Sequence, residues 1–180
     1  MALVLFLRGV NVGGHRTFRP SELARQMADL DVVNIGAAGT FVIREPVTRA
    51  RLRAELVRRL SLDAEIMICR RRDILRLMCQ SHFADQPARP DVVRFVSILS
   101  KSPSSGPSTP VRFPPRGKWL LKILARDHRF VFGVYRREMR AIGCLGGIDR
   151  LYGVPATTRN WNTITAIAKV LETDRRNVGY

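Results

Sequence analysis

The chain predicts an α+β fold of two ferredoxin-like subdomains, with antiparallel sheets carrying helices on one face and the second subdomain degenerate. Three observations predict it. Apolar periodicity in the first half runs strand, helix, strand, strand, helix, strand, the order of the split βαβ arrangement. The second half repeats this order in eroded form: a strand, a loop where a helix would stand, a hairpin and a final helix. A proline-rich loop at residues 101–117, holding Pro103, Pro107, Pro110, Pro114 and Pro115, excludes a helix or a central strand there. The expected subdomains are residues 1–85 and 90–180. With 180 residues and 46% hydrophobic content, the chain can bury one core or two small ones.

Each element has its own local reason. "ALVLFLRGV" is an apolar run ended by glycine, a buried strand, and "NVGGHRTF" is a glycine-rich turn. In "RPSELARQMADL", Leu23, Met27 and Leu30 recur at helical spacing behind Ser21, the expected cap. "VVNIGAAGTFVIR" is two short strands broken at Gly36 and Gly39. "VTRARLRAELVRRL" places Leu52, Leu56 and Leu60 on one helical face. "AEIMICR" is the fourth strand, and "RRDILRLMC" a short helix closing the half. "VVRFVSILS" opens the second half. "KWLLKILARDHRFVFGVYRREM" is a hairpin turning near Asp127, and "RAIGCL" reads as a further short strand. Ile164, Ile167, Ala168 and Leu171 then mark the final helix, expected to begin inside "VPATTRNWNT".

Lys and Arg number 31 against 15 Asp and Glu, a formal net charge of +16, and arginine supplies 27 of the 31. A GC-rich codon bias explains arginine over lysine but not the shortage of acids. Such a field attracts polyanions through counterion release. No apolar run reaches the twenty or so residues of a membrane helix. The cation Arg8 follows the first apolar run rather than preceding it, the reverse of a signal peptide, so the cytoplasm is the expected compartment. Cys69, Cys79 and Cys144 have no CxxC spacing, which argues against a disulfide framework. Cys79 and His82 lack a second ligand pair for zinc, and no metal or cofactor is expected.

The residues best suited to hold a ligand lie in two segments. In the last, Thr158, Arg159, Asn160, Asn162 and Thr163 surround Trp161 with no acid among them. At an expected helix start, unpaired backbone N–H groups and the helix dipole favour an anion, and Arg159 adds a bidentate fork. In the first, "LRGVNVGGH", Gly13 and Gly14 permit close backbone approach, while Arg8 and Asn11 add polar contacts. It matches neither dinucleotide nor P-loop patterns. "RFVFGVY" loosely echoes an RNA-recognition strand, although Phe130 and Phe132 read better as core. Histidines His15, His82 and His128 are dispersed, and no triad or carboxylate pair stands out.

Taken together, "LFLRGVNVGGHRTF" and "VPATTRNWNTITAIAKV" resemble the bacterial domain-of-unknown-function 1697 family, with its L-R-G-I-N-V-G-G loop and A-T-x-R-N-W-N-T segment. The resemblance implies two ferredoxin-like subdomains and carries no activity. Family members have S-G-N-V where this chain has "AAGTFVI", so Thr40 stands in the place of an asparagine. The expected function is a binding module for an anionic ligand, either nucleic acid or a phosphorylated small molecule. The alternatives are an enzyme acting on a small phosphorylated or nucleotide-like substrate and a protein-interaction domain.

Overall fold

The computed structural model describes residues 1–10, 18–60, 64–86 and 89–173. Contacts divide the chain into two units, one of residues 1–79 with those from Thr163 onward, the other Gln80–Asn162. The expected subdomains meet at 85–90, whereas this division falls after Cys79 and groups the final helix with the first unit.

The first unit runs β1 (Leu3–Arg8), α1 (Pro20–Gln26), β2 (Val32–Asn34), β3 (Thr40–Ile43), α2 (Arg49–Arg59), β4 (Glu65–Arg70) and α3 (Arg71–Met78). Its sheet has the order β2-β3-β1-β4, antiparallel throughout, which is the ferredoxin-like arrangement. α1 does not use Ser21 as its cap. It begins at Pro20, with Arg19 in the cap position and no side-chain cap, since proline at the first position needs no N–H partner. α2 is capped by Thr48, whose Oγ1 accepts from Arg51 N at 3.2 Å. Leu52 and Leu56 of α2 join Leu23 of α1 and Met27 just after it in one core with Leu5, Leu7, Phe41 and Ile43 of the sheet. Each fully buried Leu or Phe contributes about 1.5–3 kcal/mol. Val4, Phe6, Val42, Met67 and Cys69 on the other sheet face are buried as well, which is why β1 and β4 read as continuous apolar runs.

The second unit runs β5 (Val92–Leu99), β6 (Val111–Phe113), β7 (Leu121–Asp127), β8 (Phe130–Arg136), α4 (Met139–Leu145), α5 (Ile148–Tyr152) and β9 (Ala156–Asn160). Its sheet order is β6-β7-β8-β5-β9. Without β6 this is β7-β8-β5-β9, the order of the first sheet repeated. The proline-rich loop replaces the first helix, and α4 with α5 replaces the second. β6 forms between Pro110 and Pro114 and, among the described residues, pairs with β7 alone, so the prolines flank an edge strand rather than interrupt a ladder. The hairpin turns through His128, at φ 51°, between β7 and β8. One core holds Phe95, Leu99, Leu121, Ile123 and Val131 from the sheet with Ile148 and Tyr152 from α5.

Two expected elements change type. "RAIGCL" is helical, in α4, because buried Ala141 and half-buried Cys144 and Leu145 follow a helical spacing. The final helix, α6 (Trp161–Thr173), starts later than expected. Residues Ala156–Asn160 form β9, paired with β5 through Phe95↔Asn160, Val96↔Arg159 and Ser97↔Thr158. The adjacent β-branched Thr157 and Thr158 favour that extended backbone.

Gly133 is where the sheet depends on a missing side chain. A Cβ there would collide with the Lys122 carbonyl oxygen and the Phe95 ring. Gly133→Ala is therefore expected to destabilise the protein by about 1–3 kcal/mol through overpacking. Gly143→Ala, in open space on α4, should be neutral or stabilising by about 0.4–1 kcal/mol. Urea denaturation of both variants checks the pair. Equal stabilities would contradict the packing assigned to Phe95.

Candidate anion site at the end of the second sheet

Three chain segments meet at one end of the second sheet. β5 begins there at Val92, β8 ends there at Arg136, opposite Val92, and β9 passes into α6 through Asn160–Asn162. Between them lies a cleft of ≈ 320 Å³. Arg89, Arg94 and Arg137 line it from the β5 and β8 side, and Asn160, Trp161 and Asn162 from the β9–α6 junction. Gln86 and the valines Val92, Val93 and Val134 complete the lining. Among the described residues, none that lines the cleft is acidic.

The guanidinium groups are held in different ways. Arg89 donates from Nε and Nη2 to the two Asp91 carboxylate oxygens at 2.9 and 3.0 Å. Arg136 donates from Nη1 to the same carboxylate at 2.9 Å, so one acid serves two cations. Arg89 above all, with a further pull from Arg136, holds the Asp91 carboxyl below the usual carboxylate range. Arg94 donates to the Gln86 carbonyl and lies over the Phe83 ring, 5.6 Å from its centre. The Phe83 ring in turn meets Trp161 edge-on at 5.0 Å, which ties the junction to the segment before β5. Arg137 is exposed, and its side chain has no partner among the described residues. The site is thus a cleft of mixed polarity with cations in excess, which suits an anion.

The sequence-selected residues fall in several places. Asn160 and Asn162 line the cleft. Thr158 and Arg159, expected at a helix start, lie in β9 instead and point to opposite sheet faces. Thr158 Oγ1 shares a hydrogen bond with Ser97 Oγ at 2.6 Å. Arg159 is only 7% exposed; its Nη1 donates to Thr157 Oγ1 at 2.8 Å and to the Thr158 carbonyl at 2.9 Å. Burial pushes its pKa down to about 10, so it stays charged at neutral pH. Thr163 lies in α6, in the first unit. Arg8, also in the first unit, forms an ion pair with Glu65 at 3.3 Å. Asn11, Gly13 and Gly14 lie outside the described residues. Arg89, Arg94 and Arg137 escaped the sequence reading, although an arginine inside the apolar run of β5 was a visible signal. Phe130 and Phe132 are each 1% exposed and act as core. Among the described residues no cluster of His, Cys, Asp or Glu could hold a metal ion, and no helix is long and apolar enough to cross a membrane.

A family model described as "Protein of unknown function (DUF1697)" matches residues 1–112. With more than half of its length matched, the chain belongs to the DUF1697 family. Its fold is also that of the conserved bacterial protein SP0830 from Streptococcus pneumoniae, with a TM-score of 0.55 and 14% identity. That likeness covers 94% of this chain and 98% of the other, and at such identity it speaks for the fold alone. No curated protein sequence is significantly similar to the chain.

The Ser97–Thr158 pair separates a structural role from a ligand-binding one. Thr158→Val keeps the shape but leaves the fully buried Ser97 hydroxyl without this partner, at an expected cost of about 1–3 kcal/mol. Adding Ser97→Ala should recover most of that loss. A double-mutant cycle on unfolding free energies measures it; strictly additive losses would remove the pair's role in fixing β9.

Proposed function

We propose that the protein is a binding module for a phosphate-bearing ligand, seated in the cleft between the start of β5, the end of β8 and the β9–α6 junction. The observation that carries this reading is the convergence of Arg89, Arg94 and Arg137 with Asn160 and Asn162 on one cleft that, among the described residues, no acidic side chain lines. Guanidinium groups recognise phosphate through paired N–H donors, and the two amides add neutral donors and acceptors. The cleft lies within the usual size range of small-ligand sites, about 300–1,000 Å³. Among the described residues its lining offers no histidine, cysteine or carboxylate for proton transfer, which favours binding over turnover. Thr158 and Arg159 support the site from behind, as the strand that delivers Asn160 to its edge.

Isothermal titration calorimetry with adenosine monophosphate and inorganic phosphate at low salt tests the proposal. Binding should weaken as salt rises. Arg137→Ala should reduce affinity by about tenfold or more, since a hydrogen bond to a charged group contributes about 1.5–3 kcal/mol. Arg51→Ala, on the exposed face of α2, should leave it within about twofold. Equal losses in the two variants, or affinity that ignores salt, would sink the localised site.

A further inference from the structure

The cleft lies at one end of a sheet face whose middle, at Val96, Phe130, Phe132 and Arg159, is buried, and a row of cations crosses that face at the cleft end. In antiparallel pairing, directly opposed residues share a face. Arg94 opposes Val134, Val134 opposes Lys122, and Lys122 opposes Arg112. The row therefore crosses β5, β8, β7 and β6 in register, starting at Arg94 in the cleft lining. With strands about 4.8 Å apart, it extends about 14 Å. Arg136, two residues beyond Val134 on the same face, adds a second line of charge.

These cations are held by groups other than acids, with one exception. The Lys122 ammonium lies 4.5 Å from the centre of the Trp119 ring, and the Arg136 guanidinium lies 4.4 Å from it. Arg136 Nε also donates to the Trp119 carbonyl at 3.0 Å, while its Nη1 reaches Asp91. Arg112 Nε donates to the Pro115 carbonyl at 3.0 Å. Cation–π contact and backbone carbonyls fix the positions of these side chains without cancelling their charge. Across Gln80–Asn162, fourteen Lys and Arg stand against five Asp and Glu, so the unit as a whole carries a strong positive excess.

We infer that the ligand is a single-stranded nucleic acid, with one nucleotide in the cleft and the phosphate backbone following the Arg94–Lys122–Arg112 row. This rests on the cleft being the phosphate site proposed above. The row is longer than one phosphate group can contact, which favours a polymer over a mononucleotide. Asn160 and Asn162 offer the paired donor and acceptor that a base edge presents, a match an acidic peptide does not need. A cleft of ≈ 320 Å³ admits a single base-sized group, so the base that enters must be unpaired. A positive track with neighbouring aromatic residues is the general design of single-strand binding.

Fluorescence anisotropy on the full chain tests this with labelled ten-nucleotide single-stranded RNA and DNA. The comparison probes are the matching duplexes, adenosine monophosphate by competition, and poly-glutamate. At least one single strand should bind tenfold or more tighter than the mononucleotide and the duplex, with log affinity falling linearly in log salt. The double variant Lys122→Gln/Arg112→Gln should lose about tenfold for the strand and flatten the salt slope. It should keep mononucleotide affinity within about twofold, and Lys122→Arg should retain strand binding. Matching thermal melts show that the variants are folded. A strand that binds no tighter than the mononucleotide overturns the polymer reading and leaves the cleft reading standing. Poly-glutamate binding as well as the strand does the same and points to an acidic protein partner. Loss of binding by mononucleotide, phosphate and strand alike overturns both readings, and strand binding indifferent to Lys122 and Arg112 overturns the proposed path.

Discussion

The antiparallel pairing of β9 with β5 is the constraint on which the candidate site depends. Side chains on a strand alternate between faces, so the register Val96↔Arg159 and Phe95↔Asn160 decides where each polar group of the motif goes. Arg159 turns into the buried face, where Thr157 Oγ1 and a backbone carbonyl receive its donors. Asn160 ends the strand at the sheet edge, and Trp161 and Asn162 follow at once in the first turn of α6. A slip of one residue would exchange the faces and put the guanidinium where the amide now stands. The bond between Ser97 and Thr158 pins the register from inside the unit.

Topology makes the cleft, and sequence gives it its chemistry. In each ferredoxin-like repeat the fourth strand passes directly into a helix, β4 into α3 at Arg70–Arg71 and β9 into α6 at Asn160–Trp161. At the equivalent end of the first sheet lies a second cleft, lined by Leu3, Pro46, Val47, Thr48, Arg49 and Arg70 together with Met1. The same construction therefore yields a concavity twice. The two differ in their lining. The cleft of the first sheet has two arginines, one proline and no amide side chain, whereas that of the second sheet gathers three arginines, two asparagines, a glutamine and a tryptophan. Charge and hydrogen-bonding capacity were placed at one of two geometrically similar positions.

The fold was legible because its signals are local. Short apolar runs and a 3.6-residue period marked β1, α2, β4, β5 and the β7–β8 hairpin, and their order specified the ferredoxin-like repeat. The misread elements are those whose type depends on distant partners. "TTRNWNT" carries helix-capping residues, yet Thr157 and Thr158 pair with β5, a strand about sixty positions earlier, and tertiary pairing outweighed the local preference. "RAIGCL" is too short to show a period, and its helical spacing emerges only once Ala141 is seen to face the core. The candidate site was half legible for the same reason. Asn160 and Asn162 stood in a conspicuous polar cluster, but Arg89, Arg94 and Arg137 come from three places that only the sheet brings together.

The excess of arginine matters through where acids are missing, rather than through its total. On helices of the first unit, acids sit within a turn of their cations. Glu22 pairs with Arg25, and Glu55 with Arg58 and Arg59. Such exposed pairs add little stability, but they locally cancel charge. At the cleft end of the second sheet, Asp91 answers Arg89 and Arg136, and Glu138 answers Lys118 at 2.6 Å. Arg94, Lys122 and Arg112 rest on aromatic rings and carbonyls instead. A codon bias can raise the number of arginines everywhere, but it does not select aromatic and carbonyl partners for the cations along one strand-crossing row. Holding like charges together in that way is electrostatically unfavourable in the free protein. An anion laid along the row relieves that repulsion, which is the physical reason to look for a ligand there rather than to attribute the whole field to solubility.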